Sequence, residues 1–174
     1  MFDDRDMFIL SILQSEGRVP NAEIARRIGM APSAVLERIR KLEARGAILG
    51  YAARVEPESV GLNLTAFAFV TALEPVNQMD SGAALAALEE VQEVHYIAGE
   101  DCYLIKIRVA DAEALGRLIR EKIGPIPGMH RTRTTIVLTT LKETTALPLD
   151  LNPAPKARTS AARSPATPPV PLHS

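Results

Sequence analysis

Residues 21–46 read NAEIARRIGMAPSAVLERIRKLEARG, and their order decides the N-terminal fold. Asn21–Ile28 has the apolar spacing of a helix too brief to stand alone, and Gly29 stops it. Pro32 then sits where proline is favoured at the first helical position, opening a longer helix to Arg45 that Gly46 closes. At 100° per residue, Val35, Ile39 and Leu42 share one face of this helix. Ser33, Glu37, Arg40 and Ala44 point the opposite way, flanked by Arg38, Lys41 and Arg45. From Arg18 to Arg45 there are seven basic residues and three acidic ones. A basic face alone is often only a solvated surface. Two short helices about a glycine turn, the second cationic, predict a helix-turn-helix.

Working outward, Phe8, Ile9, Ile12 and Leu13 repeat at helical spacing. Asp3, Asp4 and Asp6 fall in that helix's first turn, where the macrodipole favours acids. Downstream, Ala47–Val55 is apolar and rich in strand formers, which predicts a wing or connecting strand. Pro57–Gly61 punctuates the chain, so residues 1–60 are expected to form a winged helix-turn-helix domain with its connecting strand.

Residues 61–147 change character. Thr65–Leu73 predicts a strand, Gly82–Glu90 a helix and Val94–Ala98 a short strand. Tyr103, Ile105, Ile107 and Val109 alternate with Leu104, Lys106 and Arg108 as in a half-buried strand. Asp111 is a plausible cap for a helix carrying Leu115, Leu118 and Ile119. After the break at Pro125–Gly128, Arg131–Leu141 alternates again. The order β-α-β-β-α-β predicts a ferredoxin-like antiparallel sheet with both helices on one face, making the chain an α+β protein. The uncovered face, with apolar residues available to it, predicts a homodimer.

The last segment, 148–174, holds seven of the chain's 13 prolines among Ala, Ser and Thr. This composition cannot bury enough surface to offset chain entropy, so disorder is expected. The alternative is a basic arm (Lys156, Arg158, Arg163) that touches DNA or a partner. Charge is segregated. Residues 1–55 hold nine basic and seven acidic residues, 56–148 eight and thirteen, and 149–174 three and one, for a net −1 over 174 residues.

Composition excludes several classes. No apolar stretch approaches the roughly 18–20 residues of a membrane span, and MFDDRD is acidic where a secretory leader is basic, so a cytoplasmic location is expected. His95, His130, His173 and Cys102 have no zinc spacing, and one cysteine makes no internal disulfide. There is no GxxxxGK phosphate cradle, nucleophile elbow or paired-histidine motif. No catalytic residue, metal or cofactor is expected, and Cys102 reads as a small buried hydrophobe.

Residues 18–29 (RVPNAEIARRIG), 32–43 (PSAVLERIRKLE) and 46–51 (GAILGY) resemble the DNA-binding half of the Lrp/AsnC (feast/famine) transcription regulators. Residues 94–104 (VHYIAGEDCYL) are similar to their glycine loop, and 132–137 (TRTTIV) to their last strand. The resemblance runs from Asp3 to Lys142. It implies a regulator of double-stranded DNA whose second domain dimerises and binds a small effector, usually an amino acid, with dimers assembling into tetramers or octamers. The effector is then expected between dimers, near the glycine loop.

Site residues follow. For DNA they are Asn21, Arg26, Arg27, Pro32, Ser33, Ala34, Glu37, Arg38, Arg40, Lys41 and Arg45. Ser33, Glu37 and one of Arg38, Arg40 and Lys41 are expected at base edges, and Arg26, Arg27 and Arg45 at phosphates. For the effector they are Ala98, Gly99, Glu100, Asp101, Cys102, Tyr103 and Thr134. Gly99 admits close approach to backbone N–H groups that suit a carboxylate, Asp101 or Glu100 suits an ammonium group, and the threonine hydroxyl orients the ligand.

The chain departs from the family pattern at three places. Ala31 stands where a capping Ser is common, leaving Ser33 to substitute in part. Pro20 replaces another Ser, leaving Asn21 as the expected cap. Cys102 stands where many members carry Asp. Two other functions compete: a ligand-independent architectural DNA-binding protein, and an enzyme, since sirohaem decarboxylases use a similar two-part fold. The intact basic helix and the missing His/Arg cluster argue against the enzyme.

Overall fold

The structure is a computed structural model that describes residues 2–73, 79–99 and 101–149. Among the described residues two compact units emerge: one comprises residues 2–52 together with 145–149, the other Ala53–Thr144. The disorder expected for the tail, and the role expected of Glu100, lie outside the described residues from position 150 on and at position 100, respectively.

The first unit holds α1 (Asp4–Ser15), α2 (Asn21–Ile28) and α3 (Pro32–Ala44). Asp3 caps α1, its carboxylate accepting from the Asp6 N–H at 2.8 Å while Asp6 accepts from the Asp3 N–H at 3.3 Å. These bonds satisfy two donors that the helix start otherwise leaves unpaired. Gly29 ends α2 with φ +64°, a left-handed conformation that costs glycine little. Ile9, Ile24, Ala25, Val35, Ile39 and Leu42 close a small core. Each large aliphatic side chain here contributes about 1.5–3 kcal/mol.

Three local expectations are corrected. Pro20, not Asn21, occupies the cap position of α2; its extended backbone presents a carbonyl to the Glu23 and Ile24 N–H groups, and Asn21 is already helical. Ala31 precedes α3 with no side-chain cap, and Ser33, inside the first turn, does not replace it. Ala47–Val55 forms no strand. A strand needs a neighbour's N–H and C=O groups, and no described segment supplies them, leaving Leu49 and Val55 exposed. Tyr51 ties the middle of this stretch to α3, its hydroxyl donating to Glu43 at 3.0 Å.

The second unit begins with a 3-10 turn at Pro57–Val60 and continues as β1 (Leu64–Ala72), α4 (Asp80–Ala86), β2 (Val91–Tyr96), β3 (Tyr103–Val109), α5 (Ala112–Arg117) and β4 (Met129–Ile136). The α5 helix widens into a π-helical turn at Leu118–Ile123. Sheet order is β2-β3-β1-β4 with every neighbour antiparallel, the ferredoxin-like arrangement that the alternation predicted. Asp111 caps α5 by accepting from the Ala114 N–H at 2.8 Å. Helix α4 ends earlier than Glu90 because Glu89 and Glu90 turn the chain into β2, and β4 stops at Ile136 rather than Leu141.

Ala66, Ala68, Val70, Tyr103, Ile105 and Ile107 face the helices, where Leu85, Leu115, Leu118 and Ile123 meet them. Gly82 lies against the buried Tyr103 ring, and a Cβ there would sit 2.7 Å from Tyr103 Cε1. The opposite face carries Phe67, Phe69 and Leu104, all half-buried, with Lys106 and Arg108. Lys106 is almost fully buried, paired with Glu143 and, at 3.2 Å, with Glu93; Arg108 meets Glu143 at 2.9 Å. This ionic cluster beside the half-buried aromatic and aliphatic side chains of that face was not anticipated from the sequence.

Candidate nucleic-acid interface and effector loop

The cations of the helix-turn-helix divide into two groups. Glu23 bonds Arg26 at 2.7 Å and Arg27 at 2.8 Å, and Arg27 also reaches Glu16 at 2.5 Å. Hydrogen bonds from Arg26 and Arg27 hold the Glu23 carboxyl down to about 2. Lys41 pairs with Glu37 one turn away, at 2.6 Å. Arg38 turns toward α1, reaching Asp3 at 2.8 Å and Asp6 at 2.6 Å. Among the described residues, Arg18, Arg40 and Arg45 make no ion pair.

Accessibility separates these groups further. Arg26 is 74% exposed, and such a pair contributes little in water, so a phosphate can displace Glu23. Arg38 is 28% exposed and bound to two carboxylates. Arg40 stands exposed on the α3 face that also carries Ser33 and Glu37. Beside it a groove of about 360 Å³ runs along α3, lined by Ala34, Glu37, Arg38, Lys41 and Arg45 with Asp6 opposite. Pro32 and Ser33 are exposed at an uncapped helix start, while Ala34 and, at the start of α2, Asn21 are half-buried. The positive end of the α3 dipole is therefore presented without a competing side chain.

The loop between β2 and β3 is pinned at its base. The Ile97 N–H donates to the Cys102 carbonyl, and the Cys102 N–H to the Val70 carbonyl, both at 2.9 Å. Cys102 Sγ donates to the Ala72 carbonyl at 3.3 Å, so this thiol is half-buried and held by backbone. Ala98 and Gly99 form the exposed tip, with Gly99 at φ +150°, a conformation that L side chains rarely adopt.

Asp101 leaves this loop across the face away from the helices. It accepts from Thr71 Oγ1 at 3.0 Å and from Arg133 at 3.1 Å, and these bonds, Arg133 first, hold its carboxyl below the usual carboxylate range. Arg133 also lies over the Phe69 ring, 4.3 Å from its centroid, a cation–π contact. Two expected effector residues fall elsewhere. Tyr103 is buried in the core, edge-on to Tyr96 at 5.5 Å. Thr134 pairs in register with Ala68 and shares its helix-covered face, whereas Asp101 sits with Thr71 and Arg133 on the other. The alternation of a strand separates Thr134 from Asp101. Arg133, Thr71 and Phe69 were missed. Their signal is the period-two pattern of β1 and β4, which becomes a site only once the register is known.

Comparison with known proteins bears on both regions. The AsnC-type helix-turn-helix domain matches residues 2–43, and the Lrp/AsnC ligand binding domain matches residues 65–147. The chain belongs to the Lrp/AsnC family. It is 42% identical over 138 residues to the HTH-type transcriptional regulator LrpA of Mycobacterium tuberculosis, covering 79% of this chain and 91% of that one. Among solved structures, a transcriptional regulator from Neisseria meningitidis in complex with L-Met superposes with TM-score 0.82 at 32% identity, covering 86% of this chain and 98% of that one. A feast or famine regulatory protein from M. tuberculosis complexed with L-methionine gives TM-score 0.80 at 39% identity, covering 86% and 100%. This Lrp/AsnC protein thus combines a DNA-binding helix-turn-helix and a ligand-binding domain in one transcription regulator.

Proposed function

We propose that this Lrp/AsnC regulator binds double-stranded DNA through α3 and adjusts that binding to an amino acid held at the β2–β3 loop. The observation that carries the reading is the Asp101–Arg133 pair, which sets an anion and a cation 3.1 Å apart beside the exposed Gly99 backbone. An α-amino acid carries the complementary pair of charges. Its carboxylate suits Arg133 and the loop N–H groups, and its ammonium suits Asp101, so the ligand replaces one internal ion pair with two external ones. The relatives complexed with L-methionine support this class of ligand.

On DNA, Arg40 and Ser33 meet base edges, Arg18 and Arg45 meet phosphates, and Arg26 and Arg27 exchange Glu23 and Glu16 for phosphates. Arg38 serves the helix-turn-helix itself. The outer sheet face, with Phe67, Phe69 and Leu104 among its ionic pairs, closes on a second copy, and the resulting homodimer assembles further into a tetramer or octamer. The functional division of the chain is DNA binding in 1–60, effector binding and assembly in 61–147, and a separate tail in 148–174. No helix of the described residues is long and apolar enough to cross a membrane. The protein acts on DNA in the cytoplasm, without catalysis or cofactor.

A thermal-shift screen of the twenty amino acids tests the effector reading. A true effector at 100 times its Kd stabilises the protein by about 2.7 kcal/mol. DNA binding that persists while no amino acid shifts the transition, or alters the DNA complex, would establish the architectural alternative instead.

A further inference from the structure

Glu90 closes the turn that leads into β2, and its carbonyl accepts from the Arg108 N–H at 2.9 Å, which fixes it beside the end of β3. Its carboxylate is satisfied on one side only. Oε1 accepts from Lys122, whereas Oε2 is shut off from solvent and accepts no hydrogen bond among the described residues. Buried carboxylate oxygens ordinarily have a partner, because one without it forfeits its hydration. The Lys122 bond, foremost, holds this carboxyl below the usual carboxylate range, so Glu90 is an anion at neutral pH. Beside it opens a cleft of about 260 Å³, lined by Val109, Ala114 and Leu118 and rimmed by Glu90, Glu121 and Lys122, all within the second unit. It follows the π-helical turn Leu118–Ile123, which the Gly124 N–H closes by donating to the Ile119 carbonyl at 2.8 Å. Turns of this kind are rare and frequently mark functional sites.

From these observations we infer that this cleft binds a small primary alkylamine, its ammonium held by Glu90 and Glu121 and its chain against Val109, Ala114 and Leu118. The sign of the ligand follows from the charges left over. Lys122 is taken by Glu90, Arg117 by Glu113 at 2.5 Å and Arg108 by Glu143 at 2.9 Å. Glu121 makes no ion pair among the described residues. One carboxylate and one orphan oxygen therefore remain, and a donor that is itself positive gains most from them. The last torsion of a glutamate is soft, so a rotation there turns Oε2 toward a donor in the cleft. Size and lining decide the rest. The cleft is small for a drug-sized molecule, and the buried Val109 and Leu118 suit a short methylene chain. The site is distinct from the effector loop, because β3 runs from Tyr103 at that loop to Val109 here, about 20 Å away.

The test is calorimetry of n-pentylamine with the full chain at neutral pH, with NMR to place the amine. Saturable binding is expected, with shifts at Val109, Ala114 and Leu118 and none at Ala98, Gly99 or Asp101. Glu90→Gln should weaken binding tenfold or more, the scale of a hydrogen bond to a charged group. Glu121→Gln, at an exposed position where folding is not at stake, should weaken it several-fold. Asp101→Asn should bind the amine as the parent does. Absence of saturable binding at millimolar amine would overturn the inference. So would n-pentanol binding as tightly as the amine, since the carboxylates would then play no part. Parental affinity in both glutamine variants would overturn it in the same way. Loss of amine binding in Asp101→Asn would move the amine to the effector loop and refute a separate site. Binding of Nα-acetyl-lysine methylamide without binding of pentylamine would overturn the free amine and assign the cleft to a lysine of another protein.

Discussion

The guanidinium of Arg38 lies 2.6 Å from Asp6 Oδ1, so this side chain of α3 reaches back to the start of α1. The same nitrogen reaches Asp3, the residue that caps α1. One arginine of the recognition helix therefore fastens the first helix at its start. Arg38→Ala should lower the stability of the protein by about 1 kcal/mol in urea unfolding, a value reduced by the partial exposure of the pair. The ratio of specific to random DNA affinity should stay at the parental value; a collapse of that ratio would return Arg38 to the base-reading set.

Arg40 is the counterpart. Without an ion pair among the described residues, it has its full donor fork available to a guanine edge. Arg40→Ala should cost roughly 1–3 kcal/mol on a specific site and distinctly less on random DNA. Mobility shifts on the two duplexes decide the matter, since equal losses would make Arg40 a phosphate contact.

Asp101→Asn should weaken amino-acid binding about tenfold or more in calorimetry, the scale of a hydrogen bond to a charged group, and leave DNA binding without ligand unchanged. The pH dependence follows from the Arg133 and Thr71 bonds, which depress the Asp101 pKa below 3.8. A depressed carboxyl pKa means the pair is fully present above 3.8 and is lost as pH falls through the lower folded value. Effector affinity should therefore show no Asp101 titration between about pH 5 and 8. Carboxyl NMR should place the Asp101 midpoint below 3.8, moving up in Arg133→Ala.

Gly82 has no room for a side chain. Gly82→Ala would drive a methyl group into the buried Tyr103 ring, and overpacking of this kind costs about 1–3 kcal/mol. Denaturant unfolding should show the loss. An unchanged unfolding midpoint would show instead that the Tyr103 ring shifts to admit the methyl group.

Assembly should reside in the outer sheet face. A chain ending after Leu149 should scatter light as a dimer, while Phe69→Lys, which also disturbs the Arg133 contact, should scatter as a monomer. A cut after Lys142 is a poorer test, because it removes Glu143, the partner of Lys106 and Arg108.

Local physics made much of this protein readable from its residues alone. The glycine between α2 and α3, the proline opening α3, the cap at Asp111 and the period-two alternation of β3 each act within a few residues. Element order then limits the sheet to few topologies, and the ferredoxin-like one is observed. What the residues could not determine depends on partners distant in sequence. Arg38, Arg40 and Lys41 look alike along the helix; only the packing of α1 against α3 brings Asp3 and Asp6, 35 and 32 residues away, to one of them. Asp101 and Arg133 meet only because β1 pairs with both β3 and β4 in a particular register, and the same register sends Thr134 to the opposite face. Ala47–Val55 has the composition of a strand, yet a strand is completed by a neighbour's hydrogen bonds, and no described segment of the chain provides one.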